Sequence, residues 1–255
     1  MSLTHKNTIE LNSSWKKFKG HIVSVPDDVV IKGMLDVYDR MDNYSITKYP
    51  EFDKNIEYNV IDIGANIGMI TLEYNDILNV KHNYCFEPDK ENFDYLRHNL
   101  NILNDKTTLY NFAISDFNGQ SKFYRDNRNA GNYSLIINEE QKKYGYTENT
   151  VVDVRTPEFC FSSLMENIIY KSDTQGIDLK IFVNMPKNIL ENIKFATLEC
   201  TPVNNQSLVE SFIDIAKQHF KYFYVNEKKT DIDQLSKKIK QLKSWYNFFN
   251  IILIK

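Results

Sequence analysis

The feature that most constrains this chain is an apolar run that ends at an acid and two spaced glycines: Tyr58-Asn-Val-Ile-Asp-Ile-Gly-Ala-Asn-Ile-Gly68. Val60 to Ile63 has the length and composition of a strand buried inside a parallel sheet. Gly64 and Gly68 then bracket a tight turn that opens a helix carrying Ile67, Ile70 and Leu72. Glycine lets a ligand approach the backbone, and a helix start offers N–H groups that have no intrahelical partner. One strand–helix unit later, Cys85-Phe-Glu-Pro-Asp89 ends a second apolar run, with Glu87 at the carboxyl edge of the sheet beside the turn. A carboxylate there can accept hydrogen bonds from both hydroxyls of a ribose. Together the two motifs predict a nucleoside-cofactor site.

Spacing and charge separate the candidate cofactors. Dinucleotide folds use Gly-x-Gly-x-x-Gly, whose second glycine admits a pyrophosphate to the helix N-terminus. This chain has Gly-x-x-x-Gly, with Asn66 where the open approach is needed. Asp62, just before the turn, repels a pyrophosphate and attracts a cationic amino-acid head group. S-adenosylmethionine carries an ammonium and a sulfonium, so the charge pattern favours it over a nicotinamide dinucleotide.

At these residues the chain resembles the class I S-adenosylmethionine-dependent methyltransferases, and Val60-Ile-Asp-Ile-Gly-Ala-Asn-Ile-Gly68 looks like the FkbM family of methyltransferases. The resemblance continues through Leu109-Tyr-Asn-Phe-Ala-Ile-Ser-Asp116 with Gly119, then Tyr170-Lys-Ser-Asp-Thr-Gln-Gly176 with Asp178, then Ile193-Lys-Phe-Ala-Thr-Leu-Glu199. Two positions depart from the family pattern: Ser172 replaces an apolar strand residue, and Asp178 shortens the usual Glu. The resemblance implies methyl transfer to a hydroxyl of a small molecule, sugar or glycan. It carries the cofactor-binding role onto Asp62, Gly64, Ala65, Asn66, Gly68, Glu87, Pro88, Ala113, Ile114 and Asp116. It also places Asp173, at the end of the fourth strand, opposite the transferred methyl as the base for the acceptor hydroxyl. Asp173 has two other readings, as a cap for the following helix or as a partner of the cofactor's amino group. No metal is expected. The alternative is Mg²⁺ held by Asp173 and Glu199, with Asn204 or Asn205 as a third oxygen ligand. Two further readings remain open: a cofactor-binding protein of the same fold that has lost catalysis, and a nicotinamide-dependent oxidoreductase.

Alternation of strand-like and amphipathic segments predicts an α/β fold: a doubly wound, mostly parallel seven-stranded sheet. The resemblance places its last strand antiparallel. Residues 51–255 form one methyltransferase domain in this reading. Residues 1–50 form an N-terminal helical extension, whose Val29, Ile31, Met34, Leu35 and Tyr38 recur at helical spacing behind Pro26. The third strand is expected from Thr107 to Ile114, and Arg125 to Ser134 is expected to be a polar loop. Tyr133, Tyr144 and Tyr146, with Arg125 and Arg128, are candidates to line an acceptor cleft.

A net charge of −3 gives no electrostatic case for a nucleic-acid partner. No apolar run reaches the ~20 residues of a membrane helix. Cys85, Cys160 and Cys200 form no Cys-x-x-Cys pair, which fits reduced packing thiols in a cytoplasmic protein. The five histidines are scattered, which argues against zinc or a catalytic dyad. The oligomeric state and the acceptor are not legible here.

Overall fold

The computed structural model describes residues 8–10, 22–25, 46–126, 129, 131–143, 146–161, 165–203 and 205–255. The predicted N-terminal helix, Arg128, Tyr144 and Asn204 lie outside these residues.

Two short strands, β1 (Thr8–Glu10) and β2 (Ile22–Ser24), pair antiparallel. The main sheet is built from β3 (Glu57–Ile63), β4 (Asn79–Phe86), β5 (Thr107–Tyr110) and, further along the chain, five more strands. A second sheet holds β6 (Ala113–Ile114), β7 (Gly119–Asp126) and β8 (Tyr146–Arg155). The main sheet then gains β9 (Ile168–Ser172), β10 (Ile193–Cys200), β11 (Tyr222–Val225), β12 (Lys228–Thr230) and β13 (Phe249–Ile254). Its order is β12-β11-β13-β10-β9-β3-β4-β5. The strands β5, β4, β3, β9 and β10 run parallel, while β13 runs antiparallel to both β10 and β11. The predicted seven strands are all present, and the hairpin strand β12 adds an eighth at the edge.

Burial explains the choice of central strands. From Tyr58 to Ile63 every residue of β3 is buried, as expected where helices cover both faces of a parallel sheet. Ile61 and Ile63 face one core with Tyr170, Phe182, Phe212 and Leu253. Val60 faces the other with Ile70, Tyr74, Phe195 and Ile252. The helices Asp178–Val183, Gln206–His219 and Ile232–Gln241 pack on the first face. The helix Met69–Ile77 and the segment around Ile46, Tyr49 and Phe52 cover the second. Val23 and Val25 join a third cluster with Ile67 and Leu96. Asn99 pins that segment through its side chain, accepting from Ser24 N at 2.7 Å and donating to the Ser24 and Ile67 carbonyls.

Two expectations are corrected. The stretch 107–114 is not one strand: β5 ends at Tyr110, and β6 belongs to the second sheet. The chain turns aside there because the Asn111 amide donates to the Glu87 and Pro88 carbonyls at 2.9 and 3.1 Å. The expected loop also begins later, since Arg125 and Asp126 end β7. These side chains are polar because they are anchored, with the Arg125 guanidinium on the Asp89 carboxylate and the Asp126 carboxylate on Asn132.

Candidate active site

The chain leaves β3 toward β4 and β5 on one side, while β9 and β10 lie on the other. Such a switch point opens a crevice beyond the carboxyl ends of the strands. A cleft of about 610 Å³, open solvent included, lies there. It is lined by Gly64, Asn66, Glu87, Pro88, Ala113, Ile114 and Asp173 among the predicted site residues.

The turn after β3 is held by its own backbone. Gly64 N and Ala65 N both donate to Phe86 O at 3.0 Å, Asn66 N donates to Glu87 Oε2 at 2.9 Å, and Gly68 N donates to Ala65 O at 2.8 Å. Ile67 N donates to the Asn66 side-chain oxygen at 2.8 Å. Every N–H from Gly64 to Gly68 is therefore used inside the fold, and these groups are not offered to an anion. The N–H groups expected to be open belong to the helix start, and that helix begins at Met69 behind Gly68.

The glycines serve packing before they serve a ligand. A Cβ at Gly64, where φ is +74°, would sit 2.0 Å from the Asp173 carbonyl oxygen. A Cβ at Gly68, where φ is +92°, would meet the Leu100 and Leu96 side chains at 2.9–3.0 Å. Gly68 caps the helix that follows, so Ile67 stands outside it. Neither Gly68 nor Ala65 lines the cleft.

Glu87 follows β4 directly and is 4% exposed. Its Oε2 accepts from Asn66 N, and its Oε1 accepts from Asp89 N at 2.8 Å. Burial, with the nearby Asp89 charge adding, pushes its carboxyl up from the ordinary 4.5 to about 8. Asp89 caps the helix Lys90–Asn99 by accepting from Glu91 N and Asn92 N. Arg125 closes on Asp89 from β7 and stacks near Tyr133, 5.4 Å from the ring centre. β7 and the segment after it thereby bring Phe123, Tyr133 and Leu135 over the cleft, beside Phe86 and Phe112. Tyr133, considered for an acceptor cleft, lines this one instead.

Asp62 is corrected. Its carboxylate is buried beneath the turn, where Oδ2 accepts from Thr71 Oγ1 at 2.7 Å and Lys171 Nζ lies 3.0 Å from Oδ1. The same ammonium donates to Gly64 O at 2.7 Å. The charge assigned to a cofactor ammonium is thus matched by an internal lysine, and Asp62 does not line the cleft. Asp116 is likewise outside it, half exposed and ion-paired with Lys180 at 3.3 Å. Sequence reading missed Lys171, although a lysine within a buried strand is itself a signal for a partner.

Asp173, Gly64 and Glu199 share one level at the edge of the sheet, because Ile63 pairs with Ser172 and Ser172 with Leu198. Asp173 continues the ladder through its N–H to Ile63 O at 3.0 Å, and its Oδ1 accepts from Gln175 Nε2 at 2.8 Å. Ser172 and Asp178, the two departures from the family pattern, answer each other: the buried Ser172 hydroxyl donates to Asp178 Oδ1, which also accepts from Thr174 N. Burial, and then the Asp173 charge, raises Asp178 to about 6. Glu199 is raised well above the usual carboxylate range by burial, then by Asp173 and Asp178.

A second, wider cleft of about 1590 Å³, open solvent included, lies beside the first. Gly176, Asp178, Glu199 and Trp245 line it, and Ile177 lines both clefts. Among the described residues no group of three His, Cys, Asp or Glu side chains forms a metal-holding set. The proposed third ligand Asn205 caps the helix Gln206–His219, accepting from Leu208 N.

The strand order, the reversed β13 and the cleft at the switch point define a Rossmann-like fold of the class I methyltransferase type. The family model of the methyltransferase FkbM domain matches residues 62–235, and the chain belongs to this family. No curated protein matches the chain. Among solved structures it is similar to methyltransferase FkbM from Methylobacillus flagellatus KT, at 11% identity and TM-score 0.49, covering 91% of this chain. The chain spans 56% of the length of that protein. It is also similar to precorrin-6y C5,15-methyltransferase from Geobacter metallireducens GS-15, at 10% identity and TM-score 0.40, covering 91% of this chain and 93% of that one. A third is TrmK from M. capricolum in complex with S-adenosylhomocysteine, at 10% identity and TM-score 0.37, covering 79% of this chain and 63% of that one. No helix among the described residues is long and apolar enough to cross a membrane.

Proposed function

We propose that the chain uses S-adenosylmethionine to methylate a hydroxyl of a small molecule or glycan. The observation that carries this reading is Glu87, a buried carboxylate that lines the cleft and is oriented by two backbone N–H groups. Its remaining acceptor capacity suits a ribose diol. Phe86, Phe112, Ile114 and Ile177 offer apolar walls for an adenine. When bound, S-adenosylmethionine supplies a methyl group activated by a cationic sulfur. The chain's task is to align the acceptor, exclude water and remove its proton. Asp173, on the wall of the same cleft, is our candidate for that base. The Ser172–Asp178 hydrogen bond weighs against the degenerate reading, because the two departures compensate one another. Membership of the FkbM family supports methyl transfer, while the internal use of the turn's N–H groups weighs against a nicotinamide dinucleotide. The free thiols of Cys85, Cys160 and Cys200 support a cytoplasmic location.

Thermal melting tests the cofactor. S-adenosylhomocysteine at a hundredfold excess over its Kd should stabilise the protein by about 2.7 kcal/mol, and NAD should leave the melting temperature unchanged. Stabilisation by NAD alone would reverse the assignment.

The role of Glu87 has its own pH signature. A carboxyl raised to about 8 is protonated in the empty protein at neutral pH. Its contribution to stability is complete below pH 4.5 and is lost as pH rises through 8. The ribose hydroxyls are best bound by the ionised form, so cofactor affinity should climb with pH and level off above about 8. Glu87→Gln should flatten this profile. Glu87→Ala should weaken binding by about 1.5–3 kcal/mol, the worth of a hydrogen bond to a charged group. Calorimetric titration of a folded variant with unaltered affinity and pH profile would remove Glu87 from the site.

A further inference from the structure

Asp89 is completely enclosed, although the start of a helix asks only for a cap. Capping uses one carboxylate oxygen, and burying the whole charge is costly unless a cation answers it. Here the cation comes from a different sheet. Arg125, near the end of β7, donates through Nε to Asp89 Oδ2 at 2.6 Å, and its Nη2 closes on the same oxygen. The other oxygen, Oδ1, is taken by Glu91 N and Asn92 N. The Tyr133 ring lies against the guanidinium and shields it from water. The contact from Arg125 to Glu91, 3.6 Å long and half exposed, adds little. What gives the pair a consequence is the main chain of Asp89, whose N–H donates to Glu87 Oε1 at 2.8 Å. One residue thus receives Arg125 on its side chain and holds Glu87 with its backbone.

We infer that Arg125 is a positioning residue of the cofactor site, which acts through Asp89 to hold Glu87 in its ribose-binding orientation. The inference rests on reading Glu87 as the ribose ligand. Arg125 does not itself line the cleft, so its influence on a ligand there has to pass through its partners. A glutamate carboxylate turns about its terminal bond with little resistance, and Glu87 is stopped from turning by two N–H groups. The Asn66 N–H belongs to the turn after β3, which is locked onto Phe86 O. The Asp89 N–H has its place fixed by what the Asp89 side chain grips. Without Arg125 the buried Asp89 charge is unanswered and moves toward water, drawing its N–H away from Glu87. The ligand then has to order Glu87 as it binds, which costs affinity.

A double-mutant cycle on Arg125 and Glu87 tests this, with S-adenosylhomocysteine as the probe and calorimetry as the readout. Arg125→Gln should weaken binding roughly tenfold in the wild-type background, and by less than about twofold in Glu87→Ala, where no carboxylate is left to orient. Arg125→Lys keeps a cation beside Asp89 without the planar fork, so it should lose less, and it replaces Arg125→Gln in the cycle if that variant does not fold. Should Glu87→Ala not fold, an S-adenosylhomocysteine analogue lacking both ribose hydroxyls closes the cycle in its place. Equal losses in the two backgrounds would overturn the inference. So would an Arg125→Gln protein that melts lower but binds as tightly as wild type, because the ion pair would then serve stability alone. Wild-type affinity in Glu87→Ala, or no binding to wild type at all, would instead sink the reading of Glu87 and the inference with it.

Discussion

Gly64→Val is expected to abolish cofactor binding and to lower the melting temperature by roughly 10 °C. The turn that Gly64 begins is locked against the segment after β9, not left open toward solvent. Its φ of +74° is one that a β-branched residue adopts only under strain. The added Cβ would stand 2.0 Å from Asp173 O and 3.0 Å from Asp173 C, both backbone atoms. Backbone cannot swing aside as a side chain does. Moving Asp173 also breaks its N–H bond to Ile63 O, which extends the central ladder. Strain of about 1–3 kcal/mol and overpacking of a similar size add together. At about 2–4 °C per kcal/mol for a chain of this size, that gives the expected drop. Gly64→Ala meets the same carbonyl and should show most of the effect. Gly68→Ala meets the movable Leu100 and Leu96 side chains and should cost less. Melting and titration with S-adenosylhomocysteine read both effects. A Gly64→Val protein that melts and binds like wild type would mean that the turn and the β9 segment are not packed as described.

The same contact shows what the sequence could and could not disclose. A buried strand followed by spaced glycines, and then by a strand ending in Glu87, is a local pattern, so the mostly parallel sheet and the cleft position were legible from periodicity and motif. The antiparallel β13 came from family resemblance. Residue roles that depend on distant partners were not legible. Asp62 was assigned to a ligand because its neighbour along the chain is the turn, yet its partner Lys171 lies on β9, over a hundred positions later. The glycines were assigned to ligand approach, while the atoms they make room for belong to Asp173, Leu96 and Leu100. The break between β5 and β6 depends on the Asn111 amide finding carbonyls after β4. Arg125, in a stretch that reads as a polar loop, is strand because its charge is answered by Asp89. In each case the deciding partner lies on another element, which hydrophobic periodicity does not report.

Asp173→Asn is expected to reduce methyl transfer to a hydroxyl acceptor by roughly 10²–10⁴-fold, the usual worth of a positioned general base. Affinity for S-adenosylhomocysteine should change far less. The substitution keeps the shape of the side chain and an oxygen for Gln175 Nε2, so the loop after β9 should stay in place. It removes basicity, and with it the group on this wall of the cleft proposed to receive the acceptor's proton. A base role and a cofactor-binding role divide cleanly in this variant. The first lowers turnover at unchanged affinity, and the second weakens S-adenosylhomocysteine binding and S-adenosylmethionine binding together. A loss of turnover below tenfold, measured with labelled methyl donor, would take the base role from Asp173. A chelator bears on the remaining alternative. Mg²⁺ held by Asp173 and Glu199 would make the wild-type rate fall on chelation and recover on adding the ion. A rate indifferent to chelation removes the metal and leaves Asp173 as the candidate base.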